Sequence, residues 1–330
     1  MKLSIVATLY RSAATVDEFY RRAMTAGEQV ADSIELILVN DGSPDDSLDR
    51  ALAIHASDSR VVVIDLARNA AHHKAMMVGL SHVRGDLVFL IDSDLEEEPE
   101  LLVRFYERLR AGDCDVVYGV QEARRGGFLS RLPGELYFAL LAWLSDQPVP
   151  RNLMTARLMT RDYVRALVRH RDREFVIAQL WAASGFRQVA VPAQKLSLSK
   201  TTYSFRRRLE MAIKHVTSTS TRLLYLILYA GLLVSSCAAA TVAYFSVRYI
   251  FFGIGVDGWT SLIVSVWFFG GLTTLILGII GIYIANLLSE SKRRPYAVIR
   301  RVYRADAPVK ETSNVILTSI GNSRAEGRTR

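Results

Sequence analysis

Residues 85–100 read GDLVFLIDSDLEEEPE. An apolar run, 87–91, ends on Asp92, Ser93 and Asp94. An acidic stretch with Pro99 follows, and 101–110 then carries apolar residues at helical spacing. A strand that brings carboxylates to its carboxyl end and turns directly into a helix is half of a βα unit, and open α/β sheets bind ligands at that edge. Two carboxylates spaced two apart in a loop can share a hard divalent cation, Mg²⁺ or Mn²⁺. Glu96 is within reach of the same ion, and substrate phosphates complete the shell. A solvated acidic turn is the plainer reading, and a lone D-x-D would not outweigh it. The strand before, the helix after and the surrounding alternation do.

Working outward, short β-branched runs at 3–7, 35–39, 61–66, 87–91 and 116–118 alternate with amphipathic helical stretches. The pattern predicts an α/β domain with a mostly parallel, Rossmann-like sheet covered on both faces. The second strand runs into Asn40, Asp41, Gly42 and Ser43, then Pro44, Asp45 and Asp46. Ser43 or Asp45 suits a helix start, while Asp41 at the strand tip can accept a base N–H from a nucleotide. The segment 68–79, RNAAHHKAMMVG, places His72 and Lys74 near a helix start, where either can help hold a phosphate or sugar. Adjacent histidines face different ways on a helix, so His72 and His73 do not read as a zinc site. No G-x-G-x-x-G turn follows a strand, which argues against a dinucleotide oxidoreductase.

Beyond residue 120 the alternation breaks. Residues 134–145 are apolar on nearly all sides, as in a core helix or in one lying in a membrane interface, and the nearby membrane anchor favours the second. Residues 203–222 mix arginines with apolar residues, which predicts a juxtamembrane amphipathic helix. Residues 223–247 and 258–289 contain no charged side chain, and each exceeds the ~20 residues that cross a bilayer as a helix. The expected organisation is a cytoplasmic domain over 1–202, transmembrane helices over 223–252 and 258–289, and a basic tail over 290–330 whose end is disordered. Basic residues flank the pair on one side, Arg206, Arg207, Arg208, Lys214 and Arg222 before it and Lys292, Arg293, Arg294, Arg300 and Arg301 after it. The positive-inside rule then puts the domain and both termini in the cytoplasm, in a multi-pass protein of the cytoplasmic (inner) membrane. That collar accounts for most of the net charge of +8, at roughly 1 kcal/mol per basic residue near anionic lipid. No basic patch with interleaved aromatics stands apart from it, so nucleic acid is not expected as a partner. The N-terminus lacks the apolar core of a signal peptide. Two cysteines, Cys114 and Cys237, make neither a disulfide framework nor a zinc site.

Taken together, residues 7–10 (ATLY), 40–47 (NDGSPDDS), 68–80 (RNAAHHKAMMVGL), 85–100 and the terminal hairpin resemble the polyprenyl-phosphate branch of the family-two glycosyltransferases. That branch includes dolichol-phosphate mannose synthases, bactoprenol glucosyltransferases and undecaprenyl-phosphate formamido-arabinose transferases. The resemblance spans residues 1 to about 304. It implies a GT-A fold, a Mg²⁺ or Mn²⁺ cofactor, a nucleotide-sugar donor and a polyprenyl-phosphate acceptor. By position it implies that Thr8, Tyr10, Val39 and Asp41 line the nucleoside pocket; Lys74, from its place near a helix start, is expected among the nucleotide contacts. Asp92, Ser93 and Asp94 would hold donor diphosphate and metal, and Glu96 stands where a metal-binding glutamine is usual.

The sequence also departs from that pattern. Thr8, Leu9, Tyr10, Arg11 and Ser12 replace P-x-Y-N-E, and Gln121 occupies an arginine position, with Arg124 and Arg125 close behind. Met154, Thr155, Ala156, Arg157 and Leu158 replace G-D-F-R-L, so the aspartate often taken as base is absent. A phosphate monoester is already largely anionic at neutral pH, its second pKa being about 6, so no proton need be removed from it. Asp92, Asp94 and Arg157 are the expected catalytic residues, and Arg124, Arg125, Arg157, Lys195, Lys200 and Arg206 the expected contacts to acceptor phosphate. The expected reaction is inverting transfer from a nucleotide sugar, UDP-linked by analogy, to undecaprenyl phosphate. A noncatalytic membrane scaffold would have no need of the intact acidic motif. A processive polysaccharide synthase would want more spans and a Q-x-x-R-W motif. A homo-oligomer is compatible with the sequence, which leaves the oligomeric state open.

Overall fold

The computed structural model describes residues 1–121, 153–170, 175–196, 222–252, 258–292 and 295–305. Four βα steps and a fifth strand open the chain: β1 (Lys2–Leu9), α1 (Val16–Glu28), β2 (Ser33–Asn40), α2 (Ser47–Ser57), β3 (Val61–Leu66), α3 (His72–Ser81), β4 (Leu87–Leu90), α4 (Leu101–Arg110) and β5 (Val116–Gln121). The expected strands and the expected helix over 101–110 are all present. Then come β6 (Leu153–Thr160), α5 (Arg161–Val168), α6 (Ile177–Ala183), β7 (Gln188–Ala193), two long helices α7 (Arg222–Phe252) and α8 (Trp259–Ser291), and β8 (Ile299–Tyr303).

All eight strands form one sheet in the order β7-β5-β6-β4-β1-β2-β3-β8. β6 is antiparallel to both β4 and β5, β8 is antiparallel to β3, and the other pairings are parallel. Strand alternation sends successive side chains to opposite faces. Leu36 and Leu38 join the core under α1, α2 and α4, while Ile37 and Val39 join the core under α3, α5 and α6. With both faces covered, β3 is buried along its whole length, as VVVIDL reads. Helix α4 buries Leu101, Leu102, Phe105 and Leu109, one stripe at helical spacing, and keeps Arg108 and Arg110 in its last turn, where cations oppose the helix dipole. Helix α3 lies so close to the sheet that a Cβ on Gly79 would come within 2.5 Å of Val6 and 3.0 Å of Val39.

The terminal strand is a correction to the tail expected over 290–330. Residues 299–303 pair with β3 instead of trailing away. Arg304 anchors its far end, 3.5 Å from the buried Glu35 and donating to His82 O at 3.0 Å. Helices α7 and α8 occupy the residues of the two expected spans, and of the described residues the segment Phe268–Leu288 is long and apolar enough to cross a membrane, with none of it buried. In α7 the segment Leu224–Val234 is apolar, and Ser236 and Thr241 follow it. Both hydroxyls are satisfied inside the helix, Ser236 by Leu232 O and Thr241 by Cys237 O, which suits an apolar surround. The interfacial and juxtamembrane helices expected over 134–145 and 203–222 lie outside the described residues, apart from Arg222.

The turn after β2 is held by Asp45. Its carboxylate accepts from Ser43 Oγ (2.5 Å), Ser47 Oγ (2.6 Å), Ser47 N (3.3 Å) and Ala13 N (3.1 Å), tying the loop after β1 to the start of α2. Burial opposes the charge, but these donors outweigh it and hold the carboxyl down to about 2. The folded-state value lies below the unfolded one near 4, so the stabilisation is complete above about pH 4 and is lost as the pH falls towards 2. Asp45→Ala is expected to cost about 1 kcal/mol, as for the loss of a helix cap. Chemical unfolding at pH 7 checks it, and the difference from the parent should shrink below pH 4.

Candidate active site

The carboxyl ends of β1, β2 and β4 meet at one rim of the sheet, and three of the four loops around it carry backbone that side chains rarely adopt. Arg11 (φ 56), Ala71 (φ 80) and Leu95 (φ 60) are the non-glycine residues at positive φ among the described residues, and Gly42 (φ 59) joins them. Such strain collects where surrounding structure fixes a loop for a purpose.

Asp41 is buried at the tip of β2. Its Oδ1 accepts from Ala70 N at 2.6 Å, its carbonyl accepts from Asn69 Nδ2 at 3.1 Å, and its own N–H donates to Leu9 O at 3.0 Å. Burial raises its carboxyl above the ordinary range, against the hydrogen bond from Ala70. A Cβ on Gly42 would lie 2.6 Å from Asn69 N, so residues 68–70 pack as a strap directly on this turn. Thr8 stands beside them at the end of β1, its Oγ1 3.0 Å from His72 Nδ1. Tyr10 is exposed at the rim, with the Arg11 guanidinium over its ring. Val39 is different. Its side chain is wholly buried in the core under α3, so the expectation that it lines a nucleoside pocket is corrected as far as the side chain goes. Lys74 lies in the first turn of α3, half-buried.

The acidic loop divides its work. Ser93 turns inward, donating to Thr8 O at 2.7 Å with Ser12 Oγ 3.1 Å away, so it ties the loop to β1 rather than facing a ligand. Asp94 faces solvent and receives Glu96 N at 3.0 Å. Burial, with Asp92 and Glu96 nearby, raises its carboxyl. Asp92 Oδ1 lies 3.1 Å from His72 Nε2, an ion-pair distance. Burial would raise Asp92, but His72 and Thr155 hold it below the usual range, and burial would lower His72, but Asp92 raises it. That same Asp92 oxygen is buried and meets no donor in hydrogen-bond alignment. A buried carboxylate oxygen left without an aligned donor suits a cation, so Asp92 and Asp94 fit as two protein ligands for Mg²⁺ or Mn²⁺. Glu96 does not complete them, which corrects the three-carboxylate expectation. Its Oε2 pairs with Lys195 Nζ at 3.0 Å, and among the described residues no three His, Cys, Asp or Glu side chains converge as a metal cluster.

Glu97 is the residue that the sequence did not reveal. It is 1% exposed, and its two oxygens accept from Thr155 N (3.0 Å) and Ala156 N (2.6 Å), joining the acidic loop to the start of β6. Burial, with Asp92 adding, pushes its carboxyl up to about 7. Three glutamates in a row gave no sign which one turns inward. Arg157 also departs from expectation. It pairs across from Leu90 and Tyr118, is 1% exposed, and lies against Tyr118, Tyr163 and Trp181, donating to Thr155 O and Met154 O. It supports the β6 rim from beneath and does not face solvent, which corrects its expected contact with acceptor phosphate. Burial lowers its guanidinium to about 9. Lys195 reaches the rim through Glu96. Arg124, Arg125, Lys200 and Arg206 lie outside the described residues.

Glu97→Ala would strand two main-chain N–H groups and is expected to cost about 2–4 kcal/mol. Thermal unfolding in detergent checks this, and Glu97→Gln, which keeps one acceptor, should cost less.

The family model for glycosyl transferase family 2 matches residues 4–216. A Mycobacterium tuberculosis protein described as a putative glycosyltransferase is 45% identical over 315 residues, covering 96% of this chain and 92% of that one. A prophage bactoprenol glucosyl transferase homolog of Escherichia coli K12 is 30% identical over 306 residues, covering 92% and 99%. The solved mannosyl-3-phosphoglycerate synthase of Rubrobacter xylanophilus aligns at TM-score 0.43 and 19% identity, over 66% of this chain and 72% of that one. Matched through 213 of its 330 residues (216 − 4 + 1), most of the described sheet among them, this chain belongs to glycosyl transferase family 2.

Proposed function

We propose that the protein transfers a sugar from a nucleotide donor, UDP-linked, to undecaprenyl phosphate at the cytoplasmic face of the inner membrane. The observation that carries this reading is the buried Asp92 oxygen without an aligned donor, beside Asp94, at the rim where Thr8 and Asp41 stand. The acceptor class is supported by the similarity to bactoprenol glucosyl transferases and by the exposed apolar length of Phe268–Leu288. The orientation rests on the basic flanks of the two long helices.

On this reading a lipid-phosphate oxygen forms a bond to the anomeric carbon, the bond from that carbon to the nucleotide diphosphate breaks, and the configuration inverts. The attacking oxygen needs no base, because a phosphate monoester is already largely anionic at pH 7. The chain's task is in-line positioning and compensation of charge on the leaving group. Asp41 accepts a base N–H, and Thr8 and Tyr10 bound the nucleoside. Asp92 and Asp94 would hold Mg²⁺ or Mn²⁺, which when bound neutralises the leaving diphosphate. Glu97 and Arg157 hold Thr155 and the β6 rim against the acidic loop. Lys195 attracts the acceptor phosphate, with Arg124, Arg125, Lys200 and Arg206 as further candidates.

The test is incubation of purified protein with undecaprenyl phosphate, Mn²⁺ and a panel of nucleotide sugars, followed by mass measurement of the lipid. A glycosyl-phosphoryl lipid from one donor is expected. No product from any donor would favour a noncatalytic scaffold. Asp94→Ala is expected to reduce transfer at least a hundredfold while the protein stays in the membrane fraction; full activity in that variant would remove the metal reading.

A further inference from the structure

The chain completes its nucleotide-side sheet only after α8, and β8 reaches the strap that holds Asp41. Val298 O accepts from Ala67 N at 2.8 Å, and Arg300 donates to Ala67 O at 3.2 Å. Ala67 opens the strap; Asn69 and Ala70, two and three residues on, bond the carbonyl and the carboxylate of Asp41. The strap has no slack on its inner side, since a Cβ on Gly42 would overlap its backbone. A parallel route runs through side chains. Arg300 Nη1 lies 3.6 Å from the buried Asp65, Asp65 Oδ1 accepts from Asn40 Nδ2 at 2.8 Å, and Asn40 Oδ1 accepts from Ser43 N at 3.2 Å. Both routes start on β8 and end on the loop that carries Asp41. The strand itself is well seated, with Ile299 and Val302 packed on the core under α3.

We infer that β8 is a positioning element for the donor nucleotide: by fixing residues 67–70 it sets the Asp41 carboxylate, so donor affinity depends on chain that follows the second long helix. This rests on the donor reading above. Arg300 touches no substrate in it and acts through Ala67 and Asp65. Being 63% exposed, it can be truncated without opening the core.

The experiment measures UDP binding, with GDP as second probe, by the full-length protein in detergent. Arg300→Ala is expected to weaken UDP three- to tenfold, raising donor KM with kcat and acceptor KM unchanged, and Arg300→Lys to restore part of the loss. Asn69→Ala should weaken UDP at least as much. The double variant should fall short of the product of the two single losses, because both loosen the strap and only the Asp65 route is left to Arg300 alone. Ile299→Asp with Val302→Asp, which places charges against the core to release β8, should exceed tenfold. Arg300→Ala binding UDP within twofold of the parent, or losses that multiply in the double variant, would overturn the inference. Should the released-strand variant fail to fold, Arg300→Ala decides alone. A parent that binds neither UDP nor GDP would overturn the donor reading, and this inference with it.

Discussion

A carboxylate buried at the end of a strand must be met by donors, and at this rim most of those donors are main-chain N–H groups of a neighbouring loop. Asp41 takes Ala70 N, the half-buried Asp45 takes Ala13 N, and Glu97 takes Thr155 N and Ala156 N. Each such bond costs the loops their freedom and fixes one relative to another, because an unpaired buried carboxylate is far more costly than the ordering. The loops after β1, β2, β3 and β4 and the start of β6 are thereby fastened together around a shared edge.

Against that background, Asp92 is the exception. One of its oxygens is buried without an aligned donor, although His72 stands at 3.1 Å. The other acids of the rim are met by main-chain N–H groups, serine hydroxyls or Lys195, and this open oxygen is what the proposed cation site rests on. The backbone strain at Arg11, Ala71 and Leu95 falls in the loops around it.

Charge is handled differently beneath the rim. Arg157 is buried among aromatic rings and donates to the carbonyls of Met154 and Thr155. Burial lowers its guanidinium to about 9, while burial raises Glu97 to about 7. Two groups that looked from their types like surface charges thus act as internal braces, and Thr155, which stands where the related pattern has an aspartate, is held from both sides.

By itself the sequence determined the βα alternation, because apolar runs that must be buried on both faces admit few other arrangements, and it located the acidic loop, since Asp92 and Asp94 end a strand that could only be internal. It also determined the two long apolar helices, whose length and lack of charge are local properties. Partnership was decided only in three dimensions. Which of three adjacent glutamates turns inward depends on where β6 offers N–H groups; whether Arg157 meets solvent depends on Trp181 and Tyr163, which are distant in sequence from its strand neighbours in β4 and β5; and Glu96 turns to Lys195, 99 residues away (195 − 96). The strand over 299–303 was hidden for the same reason: a basic segment after a membrane-length helix carries the local signature of a tail, and only the unpaired edge of β3, more than 230 residues earlier, makes it a strand.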